Sequence, residues 1–111
     1  MSSVRIKYTD PAVVQAAVRA HANALRRRDP SILRIHWFGS WTTGTFTPGS
    51  DVDLCIVVRE NRKPRRERSV DYLPSSFPVG LDLHVYTEQE FEELAAEHSD
   101  WMRELTSGIE V

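Results

Sequence analysis

The segment VDLCIVV, residues 52–58, ends in five consecutive apolar residues, Leu54 to Val58. A run this short and this rich in β-branched side chains reads as a strand. Because it lacks polar alternation, it reads as the central strand of its sheet. It is also the longest purely apolar stretch in the chain, far too short to cross a membrane. A sheet of this kind must be covered by helices, and the remaining sequence supplies them.

Asp10-Pro11 is a helix start, with Asp at the N-cap and Pro at the first helical position. Val14, Ala17, Val18, His21 and Leu25 follow at helical spacing. Arg26, Arg27 and Arg28 suit the negative end of the helix dipole, and Asp29-Pro30 stops the helix. Residues 32–38, ILRIHWF, form a second strand candidate, with His36, Trp37 and Phe38 expected to pack around the sheet. Residues 39–50 are rich in Gly, Thr, Ser and Pro and read as a loop. Residues 59–78 are polar and basic and contain Pro64, Pro74 and Pro78; a short helix is predicted within 64–73. Val79–Tyr86 alternates, with Leu81, Leu83 and Val85 on one face and Asp82, His84 and Tyr86 on the other. Thr87 and Glu90 form a capping box for a helix reaching about His98, with Phe91, Leu94 and Ala95 turned inward. Ser99 is a candidate cap for a last helix bearing Trp101, Met102 and Leu105; Gly108 ends it, and residues 109–111 add a short strand. The fold class expected is α/β (α+β): one domain over residues 1–111, a mixed sheet with helices packed on it.

Charge and cysteine content narrow the setting. Residues 1–87 carry 13 Lys/Arg against 8 Asp/Glu, and residues 88–111 carry 1 against 8. That division predicts a basic face and an acidic face, and falls short of a dedicated nucleic-acid binder. The run Arg59–Arg68 holds six Lys/Arg in ten residues and reads first as a solvated loop. Its functional alternative is a grip on phosphates or on an acidic or RNA substrate. The one cysteine, Cys55, lies inside the apolar run and reads as a buried small hydrophobe. The first ten residues contain no apolar signal core, so a cytoplasmic location is expected.

Two like charges, Asp51 and Asp53, stand at the mouth of the central strand, where burial would be costly. Strand alternation points them the same way, with Cα atoms about 6.5–7 Å apart. Two carboxylates so placed can share one divalent cation or hold two roughly 4 Å apart, and Mg²⁺ prefers such oxygen ligands. Asp82 offers a third carboxylate at the same depth of another strand. An Asp-x-Asp pair alone is more often turn chemistry; the upstream Gly39-Ser40, directly after a strand, strengthens the metal reading. Glycine there lets a phosphate approach the backbone, and the serine hydroxyl and following N–H groups can face an anion. His84 shares the Asp82 face, with a structural or exposed role expected. Trp41 is read as a packing residue or a cover for a base.

Gly-Ser, a ten-residue spacer, Asp-x-Asp, an apolar strand and a later Asp together resemble the nucleotidyltransferase superfamily that includes DNA polymerase β. The residues concerned are FGSWTTGTFTPGSDVDLCIVV and LDLHVYT. The spacing is that of the minimal nucleotidyltransferase (MNT) subgroup, and the resemblance covers about residues 10–111. It implies a polymerase-β-like palm in which Gly39, Ser40 and Ser50 bind the nucleotide. Asp51, Asp53 and Asp82 would hold two Mg²⁺ ions and carry the catalysis. The implied reaction is transfer of a nucleoside monophosphate, usually AMP from ATP, to an acceptor hydroxyl. The implied acceptor is a partner protein, as in the MNT antitoxin of a HEPN/MNT toxin–antitoxin pair. Alternatives are an aminoglycoside-type small-molecule transferase and an antitoxin that neutralises by binding alone. A HEPN-type partner or a homodimer is expected, with nucleic acid less favoured. Trp41 and Thr43 occupy positions where many minimal members carry arginine.

Overall fold

The computed structural model describes residues 10–47 and 49–111, with Ser99 described by its backbone alone. Helix α1 (Pro11–Arg28) begins where the Asp10 carboxylate accepts the Ala12 N–H at 2.9 Å. Strand β1 (Ile32–Phe38) runs into a four-residue helix, α2 (Ser40–Thr43). Strand β2 (Val52–Val58) follows, then helix α3 (Arg65–Arg68), which tightens into a 3₁₀ turn over Ser69–Tyr72. Strand β3 (Leu81–Thr87), helices α4 (Glu88–Glu97) and α5 (Ser99–Thr106) and the short strand β4 (Ile109–Glu110) complete the described chain.

The sheet order is β3-β2-β1-β4. β1 is antiparallel to both β2 and β4, while β2 and β3 run parallel. β2 is therefore an interior strand, and every residue of it except Asp53 is buried. Its two faces feed two apolar layers. Val52, Leu54, Ile56 and Val58 join Ile35, Leu83 and Val85 beneath Val14, Val18, Ala22 and Leu25 of α1. Cys55 and Val57 join Phe38, Tyr86, Phe91 and Leu105 on the side of α4 and α5. Each fully buried Leu, Ile or Val here contributes about 1.5–3 kcal/mol of transfer free energy. Burial pushes the Cys55 thiol up to about 12, which leaves it inert at neutral pH.

The boundaries of α1, β1 and β2 match their sequence expectations, and the Thr87–Glu90 capping box is present in both directions. β3 starts two residues later than expected, at Leu81, and reaches Thr87. Ser99 is the first residue of α5 and His98 takes the cap position. Among the described residues no helix is long and apolar enough to cross a membrane.

The basic run departs from a solvated loop at Arg68, which is only 4% exposed. Its guanidinium pairs with Glu90, at 2.5 Å and 3.2 Å. It also donates to the Lys63 carbonyl at 2.8 Å and the Val85 carbonyl at 3.3 Å. Glu90 in turn accepts the Thr87 N–H at 2.8 Å. One buried cation thus ties α3 to the outer edge of β3 and to the first turn of α4.

Candidate active site

The parallel register sets Asp53 directly beside Asp82, while the antiparallel register sets Phe38 against Asp53 on the other side. Both acids belong to the sheet face that packs on α4 and α5, at the end where β2 and β3 begin and β1 finishes. His84, two residues along β3, turns to the same face, and its Nε2 lies 3.4 Å from Asp82 Oδ2. One donor atom from each of Asp53, Asp82 and His84 falls within 4.8 Å of the others. The register therefore meets the condition for convergence of Asp53 and Asp82. Asp51 immediately precedes β2 and is exposed, and its carboxylate lies against Gly80 rather than inside this cluster.

Gly39 closes the site from above. Its backbone, φ 87° and ψ −162°, occupies a region open essentially to glycine alone. A Cβ there would overlap Asp53 Oδ2 and sit 3.1 Å from its Cγ. The Gly39 carbonyl accepts the Thr42 N–H at 3.0 Å and the Thr42 hydroxyl at 2.8 Å, which fastens the turn into α2. The Ser40 hydroxyl, at the head of α2, forms no hydrogen bond within the described residues. Ser50, in contrast, is engaged in its own turn: its hydroxyl accepts the Thr47 N–H at 2.8 Å. Trp41 is a packing residue, stacked on Phe46 at 4.2 Å and donating to the Ser50 carbonyl at 2.9 Å. Gly39→Ala is expected to cost about 1–3 kcal/mol from the backbone alone. Because the new methyl also displaces the Asp53 carboxylate, divalent-cation affinity should fall with stability. Urea unfolding and metal titration of the variant measure the two losses separately.

Electrostatics single out Asp53. Burial, and next the Asp82 carboxylate, hold its carboxyl above the usual range; Asp51 and Glu104 push the same way, and His84 opposes them. Three neighbouring carboxylates set against one imidazole leave a concentration of negative charge that a divalent cation would neutralise. The glycine at position 39 lets the Asp53 carboxylate lie directly against the backbone of the turn.

Some neighbours of the site were not legible beforehand. Trp101 packs edge-on against both Phe38 and His84, each at 5.6 Å. Glu104, one helical turn on, reaches the field of Asp53. Both arrive through the docking of α5, for which the sequence carries no distance information. His84 did carry a signal, its two-residue step from Asp82.

A family model described as a nucleotidyltransferase domain matches residues 18–107. Among solved structures, the chain is similar to a crystal structure of a candidate nucleotidyltransferase from Sulfolobus solfataricus. The identity is 16% and the TM-score 0.59, over 75% of each chain. That likeness speaks for the fold. Comparison with curated proteins gives no match.

Proposed function

The chain belongs to the nucleotidyltransferase domain family, and from that premise we propose that it transfers AMP from ATP to a hydroxyl on a partner protein. The observation that carries this reading is the pairing of Asp53 with Asp82 on one rung of the parallel ladder, with the Asp53 carboxylate lying against Gly39. Asp53 and Asp82 would hold divalent cations, taken as Mg²⁺, and Asp51, whose carboxylate lies against Gly80, would turn towards them to join as the third carboxylate. Such ions stabilise charge on the attacking and leaving oxygens when bound.

The chain's own groups supply the rest. Gly39 admits the triphosphate close to the backbone, and the Ser40 hydroxyl donates to a phosphate oxygen. An Asp82 carboxylate oxygen takes the proton of the attacking hydroxyl as its oxygen bonds to the α-phosphorus. The bond from that phosphorus to the bridging oxygen breaks, and pyrophosphate leaves. A groove of about 260 Å³ adjoins His84 and carries Arg65 and Arg66. These charges suit an acidic acceptor surface at that groove. The MNT antitoxin role, with a HEPN-type partner as the acceptor, is the biological setting that this reading favours.

The test is calorimetric titration of ATP with Mg²⁺ into the wild type and an Asp51→Ala/Asp53→Ala variant. ATP labelled at the α-phosphate is then supplied to the protein together with its co-purifying partner. Metal-dependent binding lost in the variant, followed by label on the partner, is the expected result. Binding that survives in the variant overturns the site, and binding without label on any protein points to neutralisation by contact.

A further inference from the structure

We propose that His84 is a direct ligand of the cation held by Asp53 and Asp82, so that this position prefers Mn²⁺ to Mg²⁺. The assignment deepens the metal-dependent reading above and rests on it.

Three observations carry it. The first is spacing. Two ligand atoms each about 2.1 Å from one ion lie about 3 Å apart at a right angle and about 4 Å apart across it. His84 Nε2 stands 3.4 Å from Asp82 Oδ2, and one donor atom from each of Asp53, Asp82 and His84 lies within 4.8 Å of the others. One coordination sphere accommodates all three with little movement.

The second is the hold on the ring. Phe38 lies 5.8 Å from the imidazole and Trp101 5.6 Å, the latter edge-on at 71°. Phe38 and Trp101 also pack on each other at 5.6 Å. Two aromatic walls fix the imidazole without occupying a ring nitrogen, and the polar contact His84 makes among the described residues is the one to Asp82.

The third is donor chemistry. Mg²⁺ gives up water reluctantly and takes oxygen ligands. An imidazole nitrogen is a borderline donor that shifts preference towards transition ions, while two carboxylates and open water positions keep the octahedral character that suits Mn²⁺.

The competing role is an ion pair in which a protonated His84 only orients Asp82. The two roles separate experimentally. Mn²⁺ or Mg²⁺ alone, without nucleotide, is titrated into the full chain, and the bound Mn²⁺ is examined by pulsed electron paramagnetic resonance. The expected result is a ¹⁴N coupling from a directly bound imidazole in the wild type, absent in both His84→Ala and His84→Gln. Mn²⁺ affinity should fall about tenfold or more in these variants, with Mg²⁺ affinity changed by less than about twofold. Bound Mn²⁺ without ¹⁴N coupling in the wild type, or equal weakening of both metals, overturns the assignment and leaves nucleotidyl transfer untouched. A ¹⁴N-coupled site in a protein that transfers no nucleotide supports the assignment and overturns the transferase reading instead. No Mn²⁺ binding at all overturns the assignment, and the titration of ATP with Mg²⁺ then decides the transferase reading separately.

Discussion

Replacement of Asp53 by asparagine is expected to abolish nucleotidyl transfer and, at the same time, to raise the melting temperature of the metal-free protein. On the function proposed here, loss of one of the two rung-paired carboxylates removes several kcal/mol of transition-state stabilisation, a rate loss of about a thousandfold or more. The gain in stability comes from the same geometry. Asp53 is held above the usual carboxylate range by burial and then by Asp82, so the folded state binds its proton more readily than the unfolded state does. Stability of the metal-free protein must then fall as pH rises from the ordinary Asp range through the raised value, and stay lowered above it. Asparagine keeps the shape without the charge, so the variant's stability should lack this fall. Thermal melts between about pH 4 and pH 7, in chelator and then with a divalent cation, measure both effects. The wild type should gain from the cation and the variant should not. A variant that melts below the wild type in chelator at neutral pH would show that Asp53 is a packing residue.

The second large effect lies far from the chemistry. Arg68→Met should destabilise the protein by about 3 kcal/mol, the low end for one half of a buried pair because Glu90 keeps partial access to water. For a domain of this size that corresponds to a drop in melting temperature on the order of 10–20 °C. The change strands the Glu90 carboxylate and removes the donor to the Lys63 and Val85 carbonyls. Adding Glu90→Gln should recover part of the loss, since glutamine can still accept the Thr87 N–H. Acid titration gives an independent check. Glu90 is held below the ordinary range, chiefly by its hydrogen bonds to Arg68. The stability this confers is present above the ordinary Glu range and lost as pH falls through the depressed value. Arg68→Met should remove that acid-side loss. Guanidinium unfolding of the single and double variants settles the size, and no recovery in the double variant would sink the ion-pair account.

Those two residues mark where the sequence was informative and where it was silent. Asp53 was visible because its signals are local: two strand steps from Asp51, a period of two, and an apolar run behind it. Its pairing with Asp82 was conditional on register, which spacing along one strand does not specify. Arg68 was hidden in a run of like charges, and a charge run is normally solvated. Its partner lies 22 residues away, and no periodicity connects them. The capping box was legible at Glu90, but the second duty of that carboxylate was not. Ser50, which the resemblance assigns to the nucleotide, has a second role in its own turn, where its hydroxyl accepts the Thr47 N–H. The helix expected within 64–73 is a short α-helix followed by a 3₁₀ turn, which buries Arg68 and leaves the Tyr72 carbonyl to accept from His21 Nε2, at 2.7 Å.

The rung that joins Asp53 to Asp82 has a consequence for inheritance. Backbone hydrogen bonds hold the two carboxylates at their separation, and those bonds are indifferent to which side chains hang from the neighbouring positions. What must be kept is a count: the number of residues from each acid to the apolar strand residues behind it, Leu54–Val58 for Asp53 and Leu83–Tyr86 for Asp82. Inserting one residue between an acid and that run would send it to the opposite face of the sheet. Substituting most of the residues around it would not. A chain built this way can lose nearly all likeness in letters and still keep its arithmetic.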